Sequence, residues 1–406
     1  MNLYTIRRES IIKDLGNNSI MVLYSSDNTK TGDVFNVNRN FYYLTGIDEP
    51  NCVLLVTNIN DKINSKLFIL PQDPIQAKWV GDRITAKEAS EISGINEVEN
   101  FYQFDEIFTS ILDRLRAHND IIIYLDLWTE EGIVTKSNML AGKLRKEYPA
   151  YAICDSFSII TQYRLIKDES EITCISQAIK ITDLGVSSMM KTIKPNINEM
   201  SLEGVFAFTL FQNKCNKTAF KTICASGPRA TVLHYQENNQ DVKDGELLLC
   251  DLGATYRNYC ADISRTFPVN GKFTDRQKEL YRIVLNAQKI VEKNAVVGTN
   301  IKKLTELVVE YYKEELPKHN LNKDVSEYFY HSVSHHLGLD IHDVDGGLGD
   351  ELKAGMVITN EPGLYVADEG IGIRIEDDLL ITSTGAQCLS SSIIKTPEEI
   401  EAFMKK

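Results

Sequence analysis

The sequence predicts two domains, an α/β layered domain over residues 1–165 followed by an α+β domain over residues 166–406. Two patterns carry this. In the first part short apolar, strand-like runs alternate with helix-like segments; in the second, long helical periods stand apart from runs of strands. Length agrees, since 406 residues suffice for two domains that each bury a core.

In the first part Ile20 to Tyr24, Cys52 to Val56, Lys66 to Leu70 and Ile121 to Leu125 read as strands, and Phe104 to Ala117 and Lys136 to Glu147 as helices. A polar connector, Arg164 to Glu171, leads into a helical stretch from about Ser170 to Thr192, and the boundary falls there. Further helices are expected at about 198–214, 274–294 and 300–317, the second opened by the capping-box pattern Thr274-x-x-Gln277. No internal repeat or low-complexity tract interrupts the chain.

A formal net charge of −13 argues against nucleic acid or an anionic membrane as partner. The eight cysteines, Cys52, Cys154, Cys174, Cys215, Cys224, Cys250, Cys260 and Cys388, lack C-x-x-C spacing and sit mostly among apolar residues. They read as reduced thiols of a cytoplasmic protein. The opening Met-Asn-Leu-Tyr-Thr-Ile-Arg-Arg-Glu-Ser has no hydrophobic signal core, and no apolar run nears the roughly 20 residues of a membrane span.

The chemistry begins with two acids in apolar sequence. Asp251 follows the run Leu-Leu-Leu-Cys, and Asp262 lies among Tyr259, Ala261, Ile263 and Phe267. Burying ionised carboxylates without a partner is costly. A four-residue turn at Thr255 to Asn258 would set the two aspartates directly opposite each other, roughly 5 Å apart between Cβ atoms, where only a multivalent cation relieves the repulsion. The alternative is a pair of exposed acids flanking a loop.

Three further segments favour the cation. Four of the seven histidines, His331, His335, His336 and His342, fall within twelve residues. Glu361 follows an apolar run and precedes Pro362-Gly363. Arg374 and Glu376 share one strand face, with Ile373 and Ile375 on the other, and a turn at Ala367 to Gly370 would set Glu376 opposite Glu361. Four carboxylates balance two divalent cations. Oxygen-rich ligation with one imidazole and no thiolate favours Mn²⁺, with Zn²⁺, Co²⁺ and Fe²⁺ also admissible. A two-metal site generates a hydroxide nucleophile and polarises the bond it attacks, which is hydrolytic chemistry.

Taken together, these segments resemble aminopeptidase P, the Xaa-Pro aminopeptidase of the creatinase and methionine aminopeptidase ("pita-bread") superfamily. The resemblance runs over essentially the whole chain. It is carried by Leu233-His234-Tyr235, Asp251-Leu-Gly, Ala261-Asp262 through Lys272-Phe-Thr274, Ser334-His335 through His342-Asp343, Glu361-Pro-Gly-Leu-Tyr365 and Gly372-Ile-Arg374-Ile-Glu376-Asp-Asp378. It implies a creatinase-like α/β N-terminal domain for assembly and substrate selection, and a pita-bread catalytic domain built as a two-halved curved sheet with outer helices.

The implied activity is release of the N-terminal residue from peptides with proline second, by a hydroxide bridging two metal ions. Asp251, Asp262, His335, Glu361 and Glu376 match the metal ligands, with Asp262 and Glu376 bridging and Glu361 also carrying the proton to the leaving nitrogen. His234 and His342 match residues that orient the peptide and stabilise the oxyanion. His331 matches a histidine of the proline subsite, Tyr365 an active-site tyrosine, and Arg374 a residue holding the bridging carboxylate. Asn40 stands where the family has an aspartate that binds the substrate's amine. Trp79 matches an aromatic residue that reaches a neighbouring subunit's site, which implies a homo-oligomer, a dimer or tetramer.

The remaining titratable residues are expected to be bystanders. His336 reads as structural or solvent-facing, and His118 and His319 as exposed on polar helices. Asp340, Asp343, Asp377 and Asp378 read as solvated loop or cap residues. Two rival functions are a prolidase-like Xaa-Pro dipeptidase and a catalytically dead pita-bread module that binds peptides or proteins. Prolidases tend to carry an arginine shortly before Glu-Pro-Gly, whereas Gly346 to Asn360 holds only Lys353; a dead module usually loses ligands, and all five are present.

Overall fold

The computed structural model describes residues 2–26, 35–118, 120–129, 133–345 and 350–405, so Gly346 to Gly349 of the stretch before Glu361 lie outside the described residues. The chain forms two compact units, Met1–Arg164 and Leu165–Lys406.

The first unit is built on strands β1 (Ser19–Tyr24), β2 (Val53–Ile59), β3 (Lys62–Ile69), β4 (Glu97–Asn100), β5 (Ile122–Leu125) and β6 (Ala152–Asp155). Among the described residues they form one sheet in the order β4-β3-β2-β1-β5-β6. Neighbours β1, β2 and β3 pair antiparallel, whereas β3–β4, β1–β5 and β5–β6 pair parallel. Parallel neighbours need crossovers: the helix Lys136–Glu147 makes the one from β5 to β6, while the helix Phe104–Arg114 leads from the edge strand β4 across to β5. Their apolar faces, Phe104, Phe108 and Leu112 on one and Leu140 and Leu144 on the other, bury against Ile20, Val22, Val53, Leu55 and Phe68.

Short helices unforeseen from periodicity complete this unit. The helix Arg39–Thr45 begins at the Asn38 cap and ends at Gly46 with φ +68°. Its last carbonyls are met from the helix Leu3–Asp14, where Arg7 Nη1 donates to Tyr43 O at 3.1 Å and Arg8 Nη1 to Leu44 O at 2.7 Å. Asn40 on this helix is buried. Its amide donates to Asp126 Oδ2 at 3.1 Å and its carbonyl accepts from Arg164 Nη1 at 2.9 Å. Both ends of the side chain are therefore engaged within the unit. Trp79, on the helix Pro74–Val80, is 81 % exposed.

The second unit contains β7 (Ile223–Ser226), β8 (Leu247–Leu252), β9 (Thr255–Tyr256), β10 (Tyr259–Cys260), β11 (Ile263–Pro268), β12 (Val357–Asn360), β13 (Gly363–Val366), β14 (Ile371–Arg374), β15 (Asp377–Thr382) and β16 (Gly385–Cys388). Among the described residues every pairing here is antiparallel: β11-β8-β7, β10-β9, β12-β15-β16 and β13-β14. Its helices include Glu169–Thr192, Glu199–Gln212, Asp275–Asn294, Ile301–Glu315 and Pro397–Met404. The expected capping box forms, with Thr274 Oγ1 accepting from Gln277 N and the Gln277 side chain accepting from Thr274 N. Glu376 N donates to Ser264 O at 3.0 Å and Thr266 Oγ1 to Arg374 O at 3.0 Å. These bonds join the strands around Asp251 and Asp262 to those around Glu361 and Glu376.

One register differs from the sequence expectation. The β9–β10 turn has its two central residues at Arg257 and Asn258, with φ +49° and +64°, as a tight two-residue hairpin demands. Moving the turn centre by one residue shifts the pairing by two, so Ser264 rather than Asp262 stands opposite Asp251. A shift of two keeps the side-chain face, and the aspartates become diagonal neighbours instead of a directly opposed pair. The second register is as expected: Gly363 pairs with Arg374 and Val366 with Ile371 around a turn at Ala367 to Gly370.

Candidate metal centre

A cleft of about 500 Å³ in the second unit is lined by His234, Asp251, Asp262, His331, His335, His342, Glu361, Arg374 and Glu376, with Phe220, Ile223 and Leu233 as an apolar wall. A cleft of similar size, about 530 Å³, lies by Ile193 to Pro195 and Val269 to Lys272, but its one carboxylate, Glu401, is tied to Lys278 at 2.9 Å.

Local folding explains why the acids converge. Asp251 ends the buried run of β8, and Gly253 two residues on lets the chain approach so closely that a Cβ there would meet Ala261 O at 1.8 Å. This close approach is the physical content of Asp-Leu-Gly, and it draws Asp262 against the end of β8. The histidine segment is stitched to β12 by the backbone: Thr359 N donates to His335 O, and Glu361 N to Val333 O, each at 2.9 Å. His335 N donates to Thr359 Oγ1 at 3.0 Å, and that hydroxyl donates to Glu361 Oε1 at 3.2 Å.

Donor atoms of Asp262, His335 and Glu376 all lie within 4.8 Å of one another. His335 Nε2 stands 3.3 Å from Asp262 Oδ2 and 3.5 Å from Glu361 Oε1. The other nitrogen, Nδ1, is 3.0 Å from His336 O, and a carbonyl oxygen only accepts, so Nδ1 carries the proton. In the singly protonated ring Nε2 then presents a lone pair to two carboxylates, the orientation of a metal-ligating imidazole fixed by its second nitrogen.

The electrostatics fit a dication cluster. Burial first, and then repulsion from Glu376, Asp251, Asp378 and Glu361, drives the Asp262 carboxyl well above the usual carboxylate range. Glu376 is raised in the same way, by burial and then by Glu361 and Asp251, and Glu361 is raised chiefly by burial. Asp251 Oδ1 and Asp262 Oδ1 are buried acceptors that no hydrogen bond reaches among the described residues. Four acids, one lone-pair imidazole and two unsatisfied oxygens are the donor set that divalent cations require.

Arg374 organises the floor of the site. Nη2 donates to Asp251 Oδ2 at 2.6 Å, and Glu376, the carboxylate that the resemblance has Arg374 hold, is reached through Ser264. Arg374 Nε donates to Ser264 Oγ at 2.9 Å, whose hydroxyl donates to Glu376 Oε2 at 2.7 Å. Side-chain geometry dictates this, because register places Ser264 beside Asp251. Arg374 Nη1 also donates to Tyr365 OH at 3.0 Å, and that hydroxyl donates to His331 Nε2 at 2.8 Å. His331 Nδ1 donates to Ser332 O at 2.7 Å, so the ring is neutral; burial and then the Arg374 charge push its pKa down to about 3.

His234 and His342 are exposed at the cleft. The His342 ring lies over His335 with centroids 4.2 Å apart, and burial followed by the neighbouring imidazoles lowers its pKa. The structure thus brings together His234, Asp251, Asp262, His331, His335, His342, Glu361, Tyr365, Arg374 and Glu376, while Asn40 and Trp79 belong to the first unit.

Several presumed bystanders are not solvated. His336 is buried, its backbone bridges Ile358, and burial lowers its pKa to about 4. Asp343 pairs with Lys167 at 2.9 Å, both side chains essentially inaccessible. Asp377 accepts from Arg265 at 2.7 Å and Gln288 at 3.0 Å, and Asp378 Oδ2 accepts from Asp262 N at 3.3 Å. Asp340 is half-buried. His319 is also half-buried, between Glu279 at 2.7 Å and Glu315 at 3.1 Å, and His118 is half-buried. Sequence reading undervalued these acids because their cationic partners, Lys167, Arg265 and Lys395, are remote in the chain. Ser264 and Thr359 were missed altogether; their placement two residues from Asp262 and Glu361 on strands was the available signal.

Known proteins share this architecture. Residues 173–383 match the model of metallopeptidase family M24, and residues 4–121 that of the aminopeptidase P N-terminal domain. A Haemophilus influenzae Xaa-Pro aminopeptidase is 33 % identical over 98 % of this chain and 96 % of its own. The solved structure of Escherichia coli aminopeptidase P superposes with a TM-score of 0.90 at 32 % identity, covering 99 % of this chain and 97 % of that one. A Bacillus anthracis protein assigned as an aminopeptidase P gives a TM-score of 0.94 at 40 % identity with the same coverage. The first unit is therefore an aminopeptidase P N-terminal domain and the second the pita-bread domain of metallopeptidase family M24, and the chain belongs to that family in its aminopeptidase P branch.

Proposed function

We propose that this metallopeptidase releases the N-terminal residue from peptides whose second residue is proline, using two divalent ions held by Asp251, Asp262, His335, Glu361 and Glu376. The observation that carries the reading is the convergence of Asp262, His335 and Glu376 donor atoms within 4.8 Å, with His335 Nε2 3.3 Å from Asp262 and 3.5 Å from Glu361. Ions held there would supply a water of lowered pKa and a polarised scissile carbonyl.

The chain's own residues do the rest. Glu361 Oε takes the proton of the attacking water and passes it to the proline nitrogen as the amide bond breaks, leaving a free amino acid and a peptide that begins with proline. His234 and His342, exposed beside the carboxylates, orient the peptide and offer N–H donors to the developing oxyanion. The neutral His331 and Tyr365, locked together at 2.8 Å, form a rigid wall for the proline ring. Arg374 fixes Asp251 and, through Ser264, Glu376.

Manganese is the proposed metal, on the hardness of the donor set. Cytoplasmic residence is proposed on the eight free cysteines; among the described residues no helix is long and apolar enough to cross a membrane. The 81 % exposure of Trp79 supports a homo-oligomer in which this side chain is covered. Asn40, engaged with Asp126 and Arg164, acts on substrate amines only through that network. Hydrolysis of paired substrates Xaa-Pro-Yaa and Xaa-Pro tests the activity. Cleavage of the tripeptide is expected; cleavage of the dipeptide alone would establish the prolidase instead, and cleavage of neither a binding module.

A further inference from the structure

Glu199 opens the helix Glu199–Gln212 and its side chain is wholly buried. One carboxylate there accepts five hydrogen bonds. Oε1 accepts from Ser226 N at 2.9 Å, Ser226 Oγ at 2.7 Å and Arg229 Nε at 3.1 Å; Oε2 accepts from Tyr235 OH at 2.9 Å and Gln240 N at 3.1 Å. The donors are spaced along a single loop, the 226–240 connection from β7 toward β8. Five donors saturate the lone pairs of a carboxylate.

That loop carries His234 into the cleft. It has no strand of its own between Val232 and Gln240, and the exposed His234 ring has no hydrogen bond among the described residues to hold it. Its neighbour Tyr235 is the fixed point: the ring belongs to the buried cluster that includes Ile223, Leu249 and Tyr365, and the hydroxyl is held by Glu199. The first half of the loop is pressed on β14 through Gly372, where a Cβ would meet Ala230 O at 2.1 Å. The loop's outline is thus set by the glutamate at four points, with His234 between two of them.

We propose that Glu199 is a positioning residue for His234, holding the 226–240 loop so that the imidazole faces the scissile carbonyl. This rests on the role given to His234 above. A group misplaced by about 1 Å loses roughly a hundredfold in rate, and residues acting through one another give non-additive losses.

The test uses full-length, manganese-loaded enzyme and an Xaa-Pro-Yaa tripeptide. H234A, E199Q and the double variant are compared, with metal content read in each. Glutamine keeps the shape but sets an NH₂ donor against loop donors. E199Q is expected to lower kcat/KM by about tenfold to a hundredfold with metal content unchanged. In the H234A background the same change should cost less than about threefold. Y235F keeps the packed ring while removing one donor, and should repeat the pattern more weakly even where E199Q folds poorly. Losses that multiply, an E199Q enzyme as active as wild type, or loss of metal from E199Q would each overturn the proposal. H234A with wild-type turnover would instead overturn the role of His234 itself, and is read before the others.

Discussion

His335 Nε2 faces Asp262 Oδ2 at 3.3 Å and Glu361 Oε1 at 3.5 Å, while Nδ1 stands 3.0 Å from the carbonyl oxygen of His336 and donates to it. That leaves Nε2 as the nitrogen free to bind a cation held jointly with the carboxylates. His335→Ala is therefore expected to lower metal content measured by elemental analysis while leaving the fold, read by circular dichroism, intact. Undiminished metal content would show that the imidazole is no ligand.

Asp262 and Asp251 should not be equivalent. Asp262 shares a 4.8 Å donor cluster with His335 and Glu376, whereas Asp251 is neutralised on one side by Arg374 at 2.6 Å. Asp262→Asn is expected to reduce both metal content and turnover more than Asp251→Asn. The reverse order, measured on the two purified variants, would contradict the bridging role.

Glu361 and His336 separate chemistry from architecture. Glu361→Gln should reduce kcat by at least about a thousandfold, since the amide cannot shuttle the proton. His336→Ala keeps the backbone carbonyl that orients His335, so kcat should stay within a few-fold of wild type. Emptying a buried side chain should still cost about 1–3 kcal/mol of stability by denaturant titration. Equal losses of kcat would mean the wrong histidine has been assigned to the metals.

Arg374 serves three acceptors at once, Asp251, Ser264 and Tyr365, from a planar fork. Lysine cannot reproduce that geometry. Arg374→Lys is expected to lower kcat/KM by about a hundredfold, and steady-state kinetics near wild-type values would remove Arg374 from the account.

Far from the site, His319 clamps Glu279 and Glu315, and the Glu279 bond above all raises its pKa. A raised histidine stabilises the fold fully below the ordinary value of about 6.5 and loses that contribution as pH climbs through the folded value. His319→Gln should therefore lower the stability, read from thermal unfolding, most near pH 6, by about 0.5 kcal/mol for a partly exposed pair. The gap should narrow at alkaline pH; a gap that widens would contradict the assignment.

Much of this was readable in the residues. Acids in apolar runs, such as Asp251 after Leu-Leu-Leu-Cys and Glu361 after Met-Val-Ile-Thr-Asn, announce themselves because burial of charge demands a partner. Strand parity placed Arg374 and Glu376 on one face, and the Ala367 to Gly370 turn gave the right register. The other turn misled, because Arg257 and Asn258 adopt positive φ without a glycine to mark them. Partners distant in sequence were hidden for a different reason. Nothing local in Asp377-Asp378 or Asp343 reveals Arg265 or Lys167, and the helix Arg39–Thr45 has too few turns to show a period.

Two ions held by five side chains are proposed to carry the hydrolysis. The most direct measurement is titration of metal-free enzyme with Mn²⁺ while release of the first residue from an Xaa-Pro-Yaa peptide is followed. Activity absent without metal and saturating at two equivalents per chain is the predicted result. Full turnover without metal, or saturation at one equivalent, would contradict it.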